Sequence, residues 1–350
     1  MTKSEDAQNP SETSSASETK EHMNKYALAY RKVYRFFGFN KGYNFPLWVI
    51  FAGGMLGFSL SRLGDLDYDG YFKRNFALVP GYWYYFRSGS YRYGMLIHLA
   101  AILPAGILMT FQFTPIIRHK WILFHRLNGY VVLLLCLISN AAAFVVIRHK
   151  QGGNRISSHA VETLMGIITT IGIFMGWWNI RRKQIEQHRA WMLRTMFYMA
   201  VTITARVINF AARDIITRIG NYWAVWMCDE INFLYMNLGM EFPKETYPEC
   251  ILPDGSLNRW KRVAVAARED PNHLEQFGAS AVAPFSTMLW ICLFLHMIGV
   301  ELYLRMTPRE TERLRQISYE KQVEAGYRNP GSAGLVLDRW ADGDKWTPNK

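Results

Sequence analysis

Residues 121–147 read WILFHRLNGYVVLLLCLISNAAAFVVI and decide the class of fold. A helix of this length crosses a bilayer, because about 20 mostly apolar residues span a hydrocarbon core of about 30 Å. Comparable apolar segments lie at about 45–60, 95–113, 158–180, 188–210 and 284–304. The sequence therefore predicts an all-α fold, a polytopic membrane helix bundle of about six transmembrane helices with a four-helix core.

The bulk composition hides this pattern. Mean hydropathy over the 350 residues is only -0.05, because polar ends and a polar loop average out the apolar segments. The net charge of +12 comes mostly from short basic runs that flank the apolar segments, at 31–32, 118–120, 181–183 and 305–309. Such runs indicate membrane topology and contact with lipid headgroups. We therefore expect the lipid bilayer as a partner and no nucleic acid.

The apolar segments divide the chain into five parts. We predict a disordered, cytosolic N-terminal tail (1–44), a membrane core of helices one to five (45–210), an extramembrane loop with an interfacial helix (211–283), a last transmembrane helix (284–304) and a cytosolic tail (305–350).

The basic runs also predict the orientation. In a six-helix bundle all four runs lie on one side, which the positive-inside rule assigns to the cytosol of a plasma membrane or endomembrane. The loop 148–157, on the other side, is basic as well. Cys228 and Cys250 would then face outward, where they could form one disulfide. The apolar piece 222–240 carries acidic residues mid-segment, so we interpret it as an interfacial or lumenal helix rather than a span.

Four histidines stand at the ends of four successive apolar segments, and the ends alternate: His98, His125, His159 and His188. In antiparallel helices, His98 and His159 fall near the outer face of the bilayer, whereas His125 and His188 fall near the inner face. A b-type haem needs an imidazole on each side of its iron, and facing helices of a bundle can supply them. The pattern predicts two haems b, with His98 and His159 on one iron and His125 and His188 on the other.

Nearby residues fit this hypothesis. Gly129 and Gly166 share a face with His125 and His159, and a missing side chain leaves room for a flat macrocycle. Haem propionates need cations, and an arginine within an apolar helix is costly and usually functional or paired. The candidates are Arg206 at the outer level, Arg126, Arg189 and Arg194 at the inner level, and Glu162 as a group that orients His159 or pairs with Arg206.

A simpler interpretation of the histidines stays open. Polar residues at helix ends also anchor a helix at the membrane interface. His296, in the last apolar segment, has no obvious haem-binding partner and is expected to serve packing or to make a polar contact.

Two resemblances bear on these residues. His98, the segment His125-Arg126-Leu-Asn-Gly129-Tyr130 and the segment His188-Arg189-Ala-Trp191-Met192-Leu-Arg194 resemble an uncharacterised membrane-protein family, domain of unknown function number 2306. This resemblance covers about a third of the chain and implies no activity.

The four-histidine layout is also similar to cytochrome b561. That resemblance implies the same crosswise haem pairs, although the chain has Ser158-His159-Ala160-Val161 where that group has serine-leucine-histidine-serine-tryptophan.

Three functions follow as alternatives. The first is a di-haem transmembrane oxidoreductase that carries electrons between a donor and an acceptor, either of them a protein or a small molecule. The second is a haem-free transporter or scaffold, although inverted repeats and broken helices are absent from the sequence. The third is a membrane enzyme that acts on a lipophilic small molecule with His, Glu and Arg as acid/base or metal groups.

Overall fold

The computed structural model describes residues 25–74, 80–148 and 156–348. Within these ranges six helical segments are long and apolar enough to cross a membrane, so the predicted all-α, polytopic bundle is confirmed. The helices are α1 (Lys25–Phe36), α2 (Asn44–Ser61, with a π-helical turn at Val49–Gly53), α3 (Tyr82–Phe86), α4 (Gly89–Gln112), α5 (Pro115–Lys120), α6 (Ile122–Val146), α7 (Ile156–Arg181), α8 (Ile185–Ile219), α9 (Cys228–Met236), α10 (Leu274–Val282), α11 (Phe285–Arg305), α12 (Pro308–Glu324) and α13 (Leu337–Trp340). The strands are β1 (Trp223–Met227) and β2 (Arg262–Ala266), and short helical turns lie at Leu63–Leu66, Tyr68–Phe72 and Pro248–Cys250.

The spanning helices run antiparallel to their neighbours, with α4 against α6, α7 against α8, and α8 against α11. Glycines bring α7 and α8 close together: a Cβ at Gly172 or Gly176 would collide with Thr195 or Met192 of α8. Close approach at small residues is how membrane helices gain packing contacts, since lipid tails are as apolar as leucine. Close van der Waals packing at these small residues, rather than the exclusion of water, therefore stabilises the association of α7 with α8.

The two ends of the bundle differ in composition. The end where α2, α6 and α8 begin, here called the basic side, carries the predicted basic runs at 118–120, 181–183 and 305–309. The opposite end, here called the disulfide side, carries a small folded unit built on β1, β2, α9 and α10. An apolar core joins this unit to α8 through Ile216, and it buries Trp226, Ile231 and Leu234.

The segment 222–240 differs from the predicted single helix. Its first part is strand β1, which pairs antiparallel with β2 from Trp223↔Ala266 to Met227↔Arg262, and only then does α9 begin. The pairing strand comes from a stretch 35 residues or more away, so the local apolar pattern could not reveal it. Cys228 and Cys250 form the predicted disulfide, which ties the start of α9 to the following turn.

The predicted tails are partly folded. In the N-terminal segment, residues 25–36 form α1, whereas residues 1–24 lie outside the described ranges. In the C-terminal segment, α12 packs on α8 and buries Ser318 and Gln322 completely. Because two of the three buried residues of α12, Ser318 and Gln322, are polar, its hydropathy pattern did not predict its burial.

Candidate binding site in the helix bundle

A cavity of about 1260 Å³ opens at the basic side of the bundle. Its inner walls are apolar and come from α2, α4, α6, α7 and α8, whereas exposed side chains such as Lys41 and Arg126 stand at its rim. His125 and His188 both line it. The structure therefore brings the two inner histidines to one cavity, and His188 lies close enough to act electrostatically on His125.

The ring of His188 is held in a fixed orientation. Its Nδ1 lies 2.9 Å from the carbonyl oxygen of Gly176 on α7, so the Nδ1–H donates there. The other nitrogen, Nε2, makes no hydrogen bond with any residue in the described ranges. A histidine whose Nδ1–H is bound by a carbonyl presents Nε2 as the nitrogen that accepts a proton or binds a metal.

Three buried polar atoms at this cavity have no hydrogen-bond partner among the described residues. They are Nδ1 of His125, Oε1 of Gln112 and the indole Nε1 of Trp48. Gln112 is itself positioned, because its amide nitrogen donates to the carbonyl oxygen of His125 at 3.0 Å. Leaving a buried donor or acceptor unsatisfied costs about 1–3 kcal/mol, so three such groups at one cavity point to a bound polar ligand or water.

The structure does not bring the two outer histidines together. Nδ1 of His98 lies 3.2 Å from the carbonyl oxygen and 2.9 Å from Oγ of Ser139 on α6. The next residue of α6, Asn140, bonds Thr169 of α7, which sets the depth of His98 on that helix. His159 is about ten residues further along α7, or about 15 Å along the axis at 1.5 Å per residue.

His159 also faces a different environment. It lines a shallow surface groove whose described lining residues all belong to α7, among them Ala160, Leu164 and Ile167. The predicted pairing of His98 with His159 thus has no common site in this structure. The physical reason for this separation is that α4 begins at Gly89, six residues before the predicted start at Met95. His98 therefore lies more than two turns inside the helix, deeper in the bundle than the sequence predicted.

The predicted arginines separate into two groups. Arg126 and Arg189 line the cavity. Arg194 instead faces α11, where it forms an ion pair with Glu301 at 2.6 Å. Arg206 lies near the disulfide side, donates to the Thr202 carbonyl oxygen at 2.9 Å, and acts electrostatically on His98. Glu162 is half-buried on α7 and is not among the residues that line the cavity.

The two glycines expected to make room for a macrocycle lie at close contacts between helices, and Gly129, unlike Gly166, also lines the cavity. A Cβ at Gly129 would collide with the Gln112 amide, and a Cβ at Gly166 would lie 2.7 Å from the ring of Phe144. The space beside each glycine is therefore filled by a side chain from a neighbouring helix. His296 makes polar contacts within the bundle, one of the two roles expected for it, since its two ring nitrogens bond the Phe197 carbonyl oxygen and Thr204 Oγ1.

The donor set of the basic side fits one haem, and that of the disulfide side does not. His125 and His188 border one cavity, His188 is oriented by a carbonyl, and arginines stand nearby for propionates. Among the described residues, no three His, Cys, Asp or Glu side chains lie close enough together to hold a metal ion directly. A haem-free cavity for a small molecule fits the same residues equally well.

Sequence reasoning missed several residues of the cavity. Gln112 is a polar residue near the end of an apolar helix, and polar groups at membrane depth are usually functional. Trp48 carried no signal of a binding role in the sequence, because tryptophan is common at membrane interfaces. The lining residues Glu310 and Arg313 of α12 lie in the segment predicted to be a tail, and only tertiary packing brings them to the cavity.

Comparison with known proteins agrees with this architecture. Residues 95–238 match the model of a family described as predicted membrane protein, domain of unknown function 2306, and this range runs from α4 to α9. "Ava biosynthesis cluster protein G" of Aspergillus versicolor is 22% identical over 313 residues, which cover 76% of this chain and 89% of that protein. No solved structure matches the chain. The chain is thus a multi-pass membrane protein whose central helices are similar to the family of domain of unknown function 2306.

Proposed function

We propose that the protein binds a lipophilic small molecule in the basic-side cavity and transfers a proton to or from it. The observation that carries this proposal is the meeting of three unpartnered buried polar atoms, on Trp48, Gln112 and His125, in one largely apolar cavity. Binding sites for small molecules have this composition: apolar walls with a few converging polar groups that fix orientation.

The roles follow from the hydrogen bonds. His188 is the acid/base group, because its Nδ1–H is bound by Gly176 and its Nε2 accepts a proton. Trp48 donates a hydrogen bond to the ligand, and Gln112 accepts one through Oε1. The relative from Aspergillus versicolor carries the name of a biosynthesis cluster protein, and a biosynthetic step on a small molecule agrees with this assignment.

The test uses the protein purified in mild detergent from its own membranes, with organic extraction and mass spectrometry of the bound compound. Removing the His125 hydrogen bond by His125→Ala should lower the amount of retained compound by about tenfold, since a lost bond is worth about 1–1.5 kcal/mol. His98→Ala is the matched control, because this histidine is also partly buried but lies away from the cavity. Equal retention in wild type and His125→Ala contradicts the proposed binding.

Proton transfer has its own variant. His188→Gln should keep the cavity loaded but leave the compound unreacted. The compound extracted from this variant should then be the substrate rather than the product, and chromatography before mass spectrometry separates the two even if they are isomers of equal mass. The same compound in the same amount in both proteins would rule out His188 as the acid/base group.

A second candidate is a membrane oxidoreductase with one b-type haem between His125 and His188. The observation in its favour is that both imidazoles border one cavity that also has Arg126 and Arg189 for the propionates. A haem held there would supply one-electron chemistry. Dithionite-reduced minus oxidised spectra of the purified protein decide between the candidates: a b-type signal lost in His125→Ala and His188→Ala, and kept in His98→Ala, selects the haem.

A further inference from the structure

The basic-side cavity has a strong excess of positive charge. Nine lysines and arginines but only two glutamates line it, counted over the described residues. These cations are all exposed or half-buried, and some of them come from α5, the start of α8 and α12, whereas buried lining residues such as Val132, Cys136 and Ile173 are apolar. A ligand that matches this distribution has an anionic group at one end and an apolar body at the other.

Arg118 is the most unusual of these cations. It lies in the last turn of α5, is half-buried, and makes no hydrogen bond or ion pair with any residue that the structure describes. Burial lowers the pKa of Arg118; the charges of Arg313 and Arg189 lower it further, while Glu310 opposes them. Burying a guanidinium without a partner is destabilising, and a bound anion would offset the penalty that the partial burial of Arg118 carries.

The glutamate beside Arg118 is already neutralised. Glu310 accepts two parallel hydrogen bonds from Arg313, both 2.8 Å long. Among the residues that the structure describes, Arg189 contacts only neutral groups: it donates a hydrogen bond of 3.0 Å to Thr307 Oγ1 and lies over the ring of Tyr303. Arg118 and Arg189 therefore leave two positive charges without a carboxylate at the opening of the cavity.

We infer that Arg118 and Arg189 bind the phosphate group of an amphipathic ligand whose apolar chain occupies the cavity. A phosphate monoester carries about −1.5 to −2 charges at neutral pH and so balances both arginines, whereas a carboxylate balances one. The planar guanidinium fork also matches phosphate oxygens in pairs. The position of the apolar chain rests on the proposed function, and the anion site itself does not.

The test compares four probes by the thermal unfolding of purified protein in a neutral detergent: hexadecyl phosphate, hexadecanoate, hexadecanol and inorganic phosphate. We expect hexadecyl phosphate to bind at least about tenfold more tightly than hexadecanoate or hexadecanol, since a charge-assisted pair is worth more than about 1.4 kcal/mol. Inorganic phosphate should bind weakly. Added salt should weaken the binding of hexadecyl phosphate but leave that of hexadecanol unchanged.

Arg118→Gln should lower the affinity for hexadecyl phosphate by about tenfold or more and leave that for hexadecanol unchanged. The fold should survive, because the Arg118 side chain makes no hydrogen bond or ion pair within the described ranges that the substitution would break. Arg328→Gln is the matched control, since Arg328 is exposed on the same side and does not line the cavity.

The outcomes separate the two proposals. If hexadecanol binds as well as hexadecyl phosphate and Arg118→Gln changes neither, the phosphate site is wrong while the lipophilic cavity stands. If inorganic phosphate matches hexadecyl phosphate, the anion site stands and the chain does not enter the cavity. If no probe with a hydrocarbon chain binds and no compound is retained from the membranes, both proposals fail.

Discussion

At the scale of the residue, one buried glutamine organises the hydrogen bonds at the turn between α7 and α8. Gln184 is fully buried at the turn between α7 and α8. Its Oε1 accepts from Gln322 Nε2 at 3.0 Å and from the Gly334 amide at 2.9 Å, and its Nε2 donates to Glu186 and to the Gly331 carbonyl oxygen. One side chain thus joins two helices to the C-terminal segment, although glutamine in a turn looks unremarkable in the sequence.

Gln184→Ala should destabilise the protein by at least about 2 kcal/mol, because it leaves several buried groups without partners. The segment 327–348 should also become sensitive to protease. Thermal unfolding in detergent and limited proteolysis measure the two effects. Gln187→Ala, three residues further on and only partly buried, should behave like wild type; an equal loss in both variants would show that the bonds of Gln184 do not stabilise this junction.

At the scale of the element, the disulfide-side unit is stabilised by covalent and polar links. The disulfide Cys228–Cys250 lies in its core, and the fully buried Glu275 of α10 accepts hydrogen bonds from Tyr235 at 2.8 Å and Tyr247 at 3.0 Å. Burial first, together with the charge and hydrogen bond of Glu275, raises the pKa of both tyrosines, so both remain protonated donors. The sequence identified the two cysteines but not this pairing of tyrosines with an acid.

Breaking the disulfide should destabilise this unit. Cys250→Ser should lower the free energy of unfolding by about 3 kcal/mol, because the bond closes a loop of 22 residues in the unfolded chain. Thermal unfolding with and without reductant measures the effect: reductant should lower the midpoint of wild type and leave Cys250→Ser unchanged. Cys292→Ala removes a free, buried cysteine and is the control, in which reductant must still lower the midpoint.

At the scale of the whole molecule, the two sides of the bundle differ in charge and chemistry. The basic side has the cavity, the basic runs that flank the spanning helices and the amide network, whereas the disulfide side has the oxidised cysteines. We propose that the basic side faces the cytosol, because short basic loops are retained there and disulfides persist in oxidising compartments.

Labelling with a membrane-impermeant maleimide tests this orientation. Single cysteines are introduced as Glu245→Cys on the disulfide side and Arg328→Cys on the basic side, both at exposed positions. In sealed membranes with the outer face accessible, only Glu245→Cys should react, and both should react after permeabilisation. Labelling of Arg328→Cys alone before permeabilisation would reverse the orientation.

The sequence by itself determined the number of spans, their approximate limits and the shared side of the basic runs. These properties depend on the hydrophobicity of each segment and on the charges that flank it, both of which are local in the sequence. Only the tertiary structure decided which polar residues meet. Helix register moved His98 away from His159, packing brought Gln112 and Trp48 to His125, and α12 folded back to the cavity. Such contacts depend on how far each helix is rotated about its axis and how deep it lies in the bundle, and the hydropathy of the chain does not report either.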